Sequence, residues 1–285
     1  MDNNLQTLDT EMNQIVDAFS TDDNDTLMQV TGQKNSGGDR REGLSRININ
    51  YDTETEDGQT LTRGDWKMFY NGEYVYAKEI YLRPILRTFE WSLFNAEEGN
   101  FSCKSVQKPT MSGDFPDTEG GSKCGRLSSS EEEKLKEDDP LRLRSRSAVC
   151  NQVIYGVVSG KFTKGNKETI EVKDHPVVSY FKRSGFIPIS DFINSLTKQK
   201  KIMQKCVMKI GTQRQKKGSV TYWTPVPALD SETNISDADK ELMKKFAETV
   251  KGHNENIMNQ YRDATKLVSP AKGDNLADDF NVANA

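Results

Sequence analysis

The chain has 285 residues, a hydrophobic content of 34%, a charged content of 29% and a formal net charge of −4. These values predict one large domain or two small ones, with much polar chain outside the core, and they argue against a wholly basic nucleic-acid coat. The first residues are polar and acidic, and no run approaches the roughly 18 apolar residues of a membrane span. We therefore expect a soluble protein inside the cell.

Residues 1 to 44 are predicted to form an acidic, flexible arm. Acidic residues from Asp9 onward meet almost no basic residue before Lys34. Four apolar side chains in this arm have the spacing of one helix face, which indicates a short docking helix. They are Met12, Ile15, Val16 and Phe19.

Strand signals begin at Ile47 and are densest from Asp65 to Trp91. Aromatic and β-branched residues recur there with the period of two that is typical of a half-buried strand. The Asn71-Gly72 pair predicts a two-residue hairpin turn. Pro84 lacks a backbone N–H, so it predicts an edge position or a bulge in the strand that contains it.

Residues 95 to 147 interrupt the strand pattern with Gly-, Ser- and Glu-rich runs. They predict a long loop insertion with a short helix near residues 130 to 137. Strand signals return in residues 151 to 162 and 169 to 182.

Two helices and a hairpin are predicted in the last third of the chain. Residues 187 to 197 have the apolar spacing of a short internal helix, with Ser190 as its candidate cap. Residues 203 to 225 predict a hairpin with a basic turn at 212 to 218. Ser236 followed by Asp239 resembles a capping box, which predicts a C-terminal helix within residues 231 to 268 before an acidic tail at 269 to 285.

A basic stretch runs from Lys198 to Lys217 without an acidic residue. Phosphate backbones require such charge, although a solvated hairpin tip would have the same composition. The candidates for phosphate contacts along the chain are Lys78, Arg83, Arg87, Lys182, Arg183, Lys205, Lys209, Arg214, Lys216 and Lys217.

Aromatic residues are interleaved with these cations. Single-stranded nucleic acid is bound by basic grooves and by rings on which bases stack, but the same rings also suit strand packing. By alternation, Tyr74, Tyr76 and Lys78 share one strand face, which favours a binding face. The stacking candidates are Trp66, Tyr74, Tyr76, Tyr81, Tyr222 and Trp223.

The cysteines and acids give weaker signals. Cys103, Cys124 and Cys150 lie in or beside the insertion, but structural zinc sites have four ligands and usually a close cysteine pair. Buried free thiols are therefore favoured over a structural zinc ion, and no cofactor is expected. The chain has no Walker, G-x-S-x-G, H-E-x-x-H or G-x-G-x-x-G motif, so we expect a binding protein and not an enzyme.

The order of these features resembles phage-type single-stranded DNA-binding proteins with an oligonucleotide-binding (OB) barrel. The resemblance covers about residues 45 to 230. It rests on Ile47-Asn48-Ile49-Asn50, Gly64-Asp65-Trp66, Val153-Ile154-Tyr155-Gly156 and the closing hairpin that ends at Pro225. It implies a mainly β fold: an OB-like β-barrel with the long insertion, the short internal helix, the C-terminal helix and flexible acidic termini.

The same resemblance implies a function. Such a protein binds single-stranded DNA without sequence specificity during replication, recombination or repair, in the host cytoplasm when it is phage-encoded. Its acidic tail recruits replication or recombination proteins, and a homodimer is compatible with the sequence. The corresponding tail residues here are Asp274, Asp278, Asp279 and Phe280, although five residues follow the aromatic.

Two other interpretations stay open. A phage structural or assembly protein would use the same strands in a β-sandwich and dock its tails to a neighbour. A metal-dependent nuclease or recombination enzyme would need an acid cluster, and the nearest one is Asp52, Glu54 and Glu56, in a Thr-rich stretch that predicts a loop.

Overall fold

The computed structural model describes residues 44–55 and 58–268. The chain divides into two units between Leu44 and Ser45, and the account below concerns the second. The predicted arm up to residue 43 and the tail from residue 269 lie outside the described residues. The elements are β1 (Ser45–Ile49), β2 (Trp66–Tyr70), β3 (Glu73–Ala77), β4 (Ile80–Asn95), β5 (Asn100–Lys104), α1 (Ser129–Glu132), α2 (Pro140–Ser147), β6 (Val149–Lys164), β7 (Thr169–Lys182), α3 (Phe186–Lys198), β8 (Cys206–Lys217), β9 (Val220–Glu232) and α4 (Asp237–Val268).

The predicted mainly β, OB-like barrel is confirmed. Five strands close it in the order β1-β2-β3-β6-β7, and β7 returns to β1. All neighbours in the ring are antiparallel except β1 and β7, which are parallel and pair Arg46 with Val178. The long strand β6 also continues outward into a second sheet in the order β6-β4-β8-β9, with β5 on β4. Closure removes free strand edges from the ring.

Two local predictions are confirmed in the strands. Asn71 and Gly72 both have positive φ values, 48° and 89°, and join β2 to β3. Such a turn needs residues that tolerate the left-handed region, which Asn and Gly do. Pro84 lies at a bulge between β4 and β6, where its partner Gly156 leaves space for the backbone of Arg83.

The barrel core is apolar and is covered at one end by α3. Ile47, Trp66 and Phe162 are fully buried inside it, and Ile189 and Ile193 of α3 join the same cluster. The predicted internal helix is therefore confirmed. Ser190 is not its cap, because the helix begins at Phe186 and Ser190 lies inside it, where its hydroxyl contacts another side chain.

The insertion is more ordered than the sequence predicts. Residues 95 to 147 form β5, α1 and α2 and bury Phe115 with Val106 and Ile257 of α4. These contacts with a distant helix are long-range, so local composition gave no sign of them. The predicted C-terminal helix is also present and begins with reciprocal bonds between Ser236 and Asp239.

The described helices include none that is both long enough and apolar enough to cross a bilayer. The longest, α4, is a 32-residue amphipathic helix that packs Phe246 against Tyr155 with 5.5 Å between ring centroids. It packs on β4 and β6, where Asp239 pairs with Arg83 of β4 and Phe246 meets Tyr155 of β6.

Candidate nucleic-acid interface

A small cleft opens where the parallel pair β1 and β7 ends, and we call it the Trp223 cleft. Its volume is about 150 Å³, and no acidic residue lines it. Small-molecule sites usually occupy roughly 300–1,000 Å³, so this cleft suits one flat ring of a longer chain better than a free metabolite. Its lining includes Tyr51, Tyr180, Lys182, Trp223 and Pro225.

The position of Trp223 is fixed by contacts between the hairpin β8–β9 and the barrel. The indole N–H of Trp66 donates to the Ile210 carbonyl at 3.0 Å, and the Thr212 hydroxyl donates to the Gly64 carbonyl at 2.6 Å. Trp223 then packs on Gly64 and meets the ring of Tyr51 edge-on, with 5.6 Å between centroids. Tyr51 is itself exposed, so the two rings offer a stacking surface at the rim of the barrel.

Gly64→Ala is expected to disturb this arrangement. A Cβ atom at Gly64 would lie 2.3 Å from Nε1 of Trp223, and the backbone there has φ +95°. We expect the free energy of unfolding to fall by about 1–2 kcal/mol through backbone strain and the indole to move out of the cleft. Tryptophan fluorescence and denaturant titration measure the two effects.

Gly72→Ala is the matched control. Gly72 has φ +89°, but its added Cβ would meet nothing within 4 Å. It should show the same strain with an unchanged Trp223 environment. Equal fluorescence changes in the two variants would contradict the proposed packing of Trp223 on Gly64.

One cation, Lys182, lines the cleft, and Arg46 and Arg183 lie close enough to affect its charge. Partial burial lowers the pKa of Lys182, the charges of Arg46 and Arg183 lower it further, and the buried carboxylate of Glu90 acts in the opposite direction. None of the three has an ion pair with another described residue. Arg183 also has a left-handed φ of 49°, which is uncommon for a non-glycine residue and marks a constrained position. Mutual repulsion of this kind is relieved when an anion binds.

The predicted basic turn at 212 to 218 is instead the last part of strand β8, so its cations alternate between faces. Arg214 pairs with Trp223 across the hairpin, which places both side chains on the cleft face. Lys216 shares that face by alternation, whereas Lys217 and Tyr222 are on the other one. Lys205 lies outside the region, about 30 Å along the strand from Arg214.

A larger cleft of about 790 Å³ collects other predicted residues, namely Lys78, Tyr76 and Tyr81. Four acids, including Glu79 and Asp174, line it beside three lysines, so it has no excess of positive charge. Lys209, near Tyr81, is already paired with Glu79 at 3.0 Å. A phosphate chain would be repelled here more than at the Trp223 cleft.

Three predicted contact residues are buried and must be corrected. Trp66 is 1% exposed in the barrel core, with its N–H bonded. Arg83 forms an ion pair with Asp239 of α4, and Arg87 lies beneath α3. None of the three can reach a nucleic acid without local unfolding, so we remove them from the site.

The two tyrosines of β3 differ from each other. Tyr76 is buried, and burial raises the pKa of its hydroxyl. Tyr74 is exposed, but its ring contacts Phe69 and the ammonium of Lys67 at 4.3 Å. Tyr74 therefore remains a peripheral stacking candidate on the outer barrel face.

Sequence reasoning missed Tyr51, Arg46 and Arg63. Arg63 is exposed next to Gly64, and Arg46 lies over the ring of Tyr180 at 4.4 Å. Of these, Tyr51 lines the cleft, and it comes near Tyr180 and Lys182 because β1 pairs with β7 from far along the chain. The exposed ring of Tyr51, directly after a predicted strand, was the one local signal.

The cysteines are brought together only in part. The ligand atoms of Cys103, Asp117 and Cys124 lie within 4.8 Å of one another, and all three residues are buried. Cys150 is not in this group. The hydrogen bond with Cys103 and burial raise the pKa of Cys124, and the Asp117 carboxylate already accepts three backbone N–H bonds. Within the described residues this group supplies three ligands, whereas a structural zinc site uses four.

The predicted acid cluster lies only partly within the described residues. Asp52 pairs with Lys67 at 2.7 Å, Glu54 is exposed and bridges to Thr60 by its backbone, and Glu56 lies outside the described residues. The tail candidates Asp274 to Phe280 also lie outside them.

Comparison with known proteins adds no relative. No family model matches the chain, and neither the curated proteins nor the solved structures include a match. The features that bear on function are the barrel, the exposed ring of Tyr51, the half-buried ring of Trp223 and the cations near them.

Proposed function

We propose that this protein binds single-stranded DNA without sequence specificity at the Trp223 cleft. The observation that carries the proposal is Lys182, which lines an acid-free cleft together with the rings of Tyr51 and Trp223 and lies near the charges of Arg46 and Arg183. Cations that track a backbone and rings that accept bases are the two parts of a single-strand site.

The size of the cleft favours an unpaired strand. A nucleobase can enter the cleft only when it is not paired with another base, and the bases of a duplex are paired and stacked. The proposed contacts are made by ring faces and positive charges. Such contacts discriminate weakly between bases.

The alternatives have less support. A metal-dependent nuclease would use the acids at 52 to 56, but Asp52 is engaged by Lys67. An assembly protein would expose an edge for further strands, but the edge strand β9 carries Pro225 and Pro227, which lack N–H donors. Action in phage replication, recombination or repair, and recruitment of partners by the acidic tail, remain predictions of the resemblance.

Lys182→Ala tests the electrostatic part. Affinity for oligothymidine should fall, and the slope of log K against log salt should become shallower by about 0.7, the value for one lost phosphate contact on a single strand. Fluorescence anisotropy at several salt concentrations measures both. Lys209→Ala is the matched control, because the side chain of Lys209 is 43% exposed but paired with Glu79. The salt slope of this variant should equal that of wild type. Equal slopes for Lys182→Ala and wild type would rule out a phosphate contact at Lys182.

A further inference from the structure

Arg87 is a half-buried cation with a buried Nε atom, and its hydrogen-bond partners are neutral. Its Nη2 donates to Oε1 of Gln152 at 2.7 Å and to the hydroxyl of Ser190 in α3 at 3.0 Å. No carboxylate of the described chain pairs with it. The ring of Phe89, 4.8 Å from the guanidinium carbon, offsets part of the charge.

Two N–H donors at this place have no acceptor among the described residues. They are Nε of Arg87 and Nε2 of Gln152, and both atoms are buried. Gln152 is 0% exposed, so its amide cannot turn to bulk solvent. Burial also lowers the pKa of Arg87, as expected for a charge that lacks a counter-ion. Native proteins rarely leave buried donors unpaired, so the position calls for a ligand.

We propose that Arg87, Gln152 and Ser190 form a binding site for a small inorganic anion of the halide class. The free donors belong to side chains already in contact, so one acceptor atom can serve both. A halide supplies the missing acceptor and the missing negative charge. A water molecule would supply an acceptor but not the negative charge.

The site joins three elements, because Arg87 is on β4, Gln152 on β6 and Ser190 on α3. Helix α3 starts directly after the turn that contains Arg183. An anion here therefore stabilises the helix that covers the barrel end, independently of single-strand binding.

Gln152→Glu gives a sharp test, because the nearly isosteric side chain brings its own negative charge to Arg87. Thermal unfolding of the full chain is measured while chloride replaces gluconate at constant ionic strength. Wild type should gain about 2–4 °C in Tm with chloride. Without chloride, Gln152→Glu should have a higher Tm than wild type, and chloride should change that Tm little. The control Gln213→Glu makes the same charge change at an exposed site, and its Tm should rise with chloride as in wild type.

A wild-type Tm that ignores chloride, or a full chloride response in Gln152→Glu, would overturn the proposal. A bromide soak of wild-type crystals keeps the test valid if that variant does not fold. An anomalous peak within hydrogen-bonding distance of Arg87 Nε and Gln152 Nε2 supports the site. Density there without anomalous signal contradicts it.

Discussion

Replacing Trp223 with alanine is expected to weaken oligothymidine binding about 10- to 100-fold, since base–aromatic stacking contributes roughly 1–3 kcal/mol per base. The indole is held between Gly64 and Tyr51, so its ring is already oriented before DNA arrives. Trp223→Phe should retain most of the affinity because it keeps an aromatic face. Anisotropy with labelled oligothymidine measures all three proteins.

Phe94→Ala is the control for loss of an exposed ring. Phe94 is 52% exposed near the far end of the 16-residue strand β4, where it contacts Phe101. Its removal should leave the affinity unchanged. If Phe94→Ala lost as much affinity as Trp223→Ala, the result would contradict binding of DNA at the Trp223 cleft.

The second large effect is on stability. Arg83→Met is expected to lower the free energy of unfolding by about 3–5 kcal/mol, the usual result of breaking a buried ion pair. The side chains of Arg83 and Asp239 are only 13% and 10% exposed, and their pair fixes the start of α4 to the sheet. Denaturant titration measures the change, and Asp239→Asn in the same protein should restore part of it.

The same pair predicts acid sensitivity. The hydrogen bond from Arg83 holds the pKa of Asp239 well below its usual value. A depressed pKa in the folded state stabilises the protein above the unfolded pKa of about 3.9, and this contribution is lost as the pH falls below that value. In Arg83→Met the stability should vary less with pH in this range. A change in unfolding free energy under about 1 kcal/mol for Arg83→Met would contradict a buried pair.

Local chemistry made much of the fold predictable. The Asn71-Gly72 turn, the bulge at Pro84 and the capping box at Ser236 each depend on a few adjacent residues, and each is present. The parallel pairing of β1 with β7 and the packing of the insertion on α4 depend on contacts between distant segments. Periodicity within one segment carries no information on such partners.

The bulge also explains why Arg83 and Arg87 were wrongly predicted to contact nucleic acid. Arg83 and Arg87 are four residues apart, so simple alternation places them on one face. The register shift after Pro84 pairs Arg83 with Val157 but Arg87 with Ile154, which puts the arginines on opposite faces. One then meets α4 and the other α3, and neither remains at the surface.

Trp223 and Arg214 were predictable because one hairpin carries both. The cleft itself was not predictable, because Tyr51, Arg46 and Lys182 come from segments far away in the sequence. Trp66 was misplaced because a strand aromatic suits a core as well as a binding face.

The most direct test of the Trp223 cleft is intrinsic fluorescence, since the chain has three tryptophans. Trp66 also lines the cleft but is only 1% exposed, and Trp91 packs beside the insertion, so Trp223 is the tryptophan that the proposed DNA can contact. Oligothymidine should quench the fluorescence of wild type and of Trp91→Phe, and the quenching should be lost in Trp223→Phe although the DNA still binds. Quenching that persists in Trp223→Phe would contradict the cleft as the single-strand site.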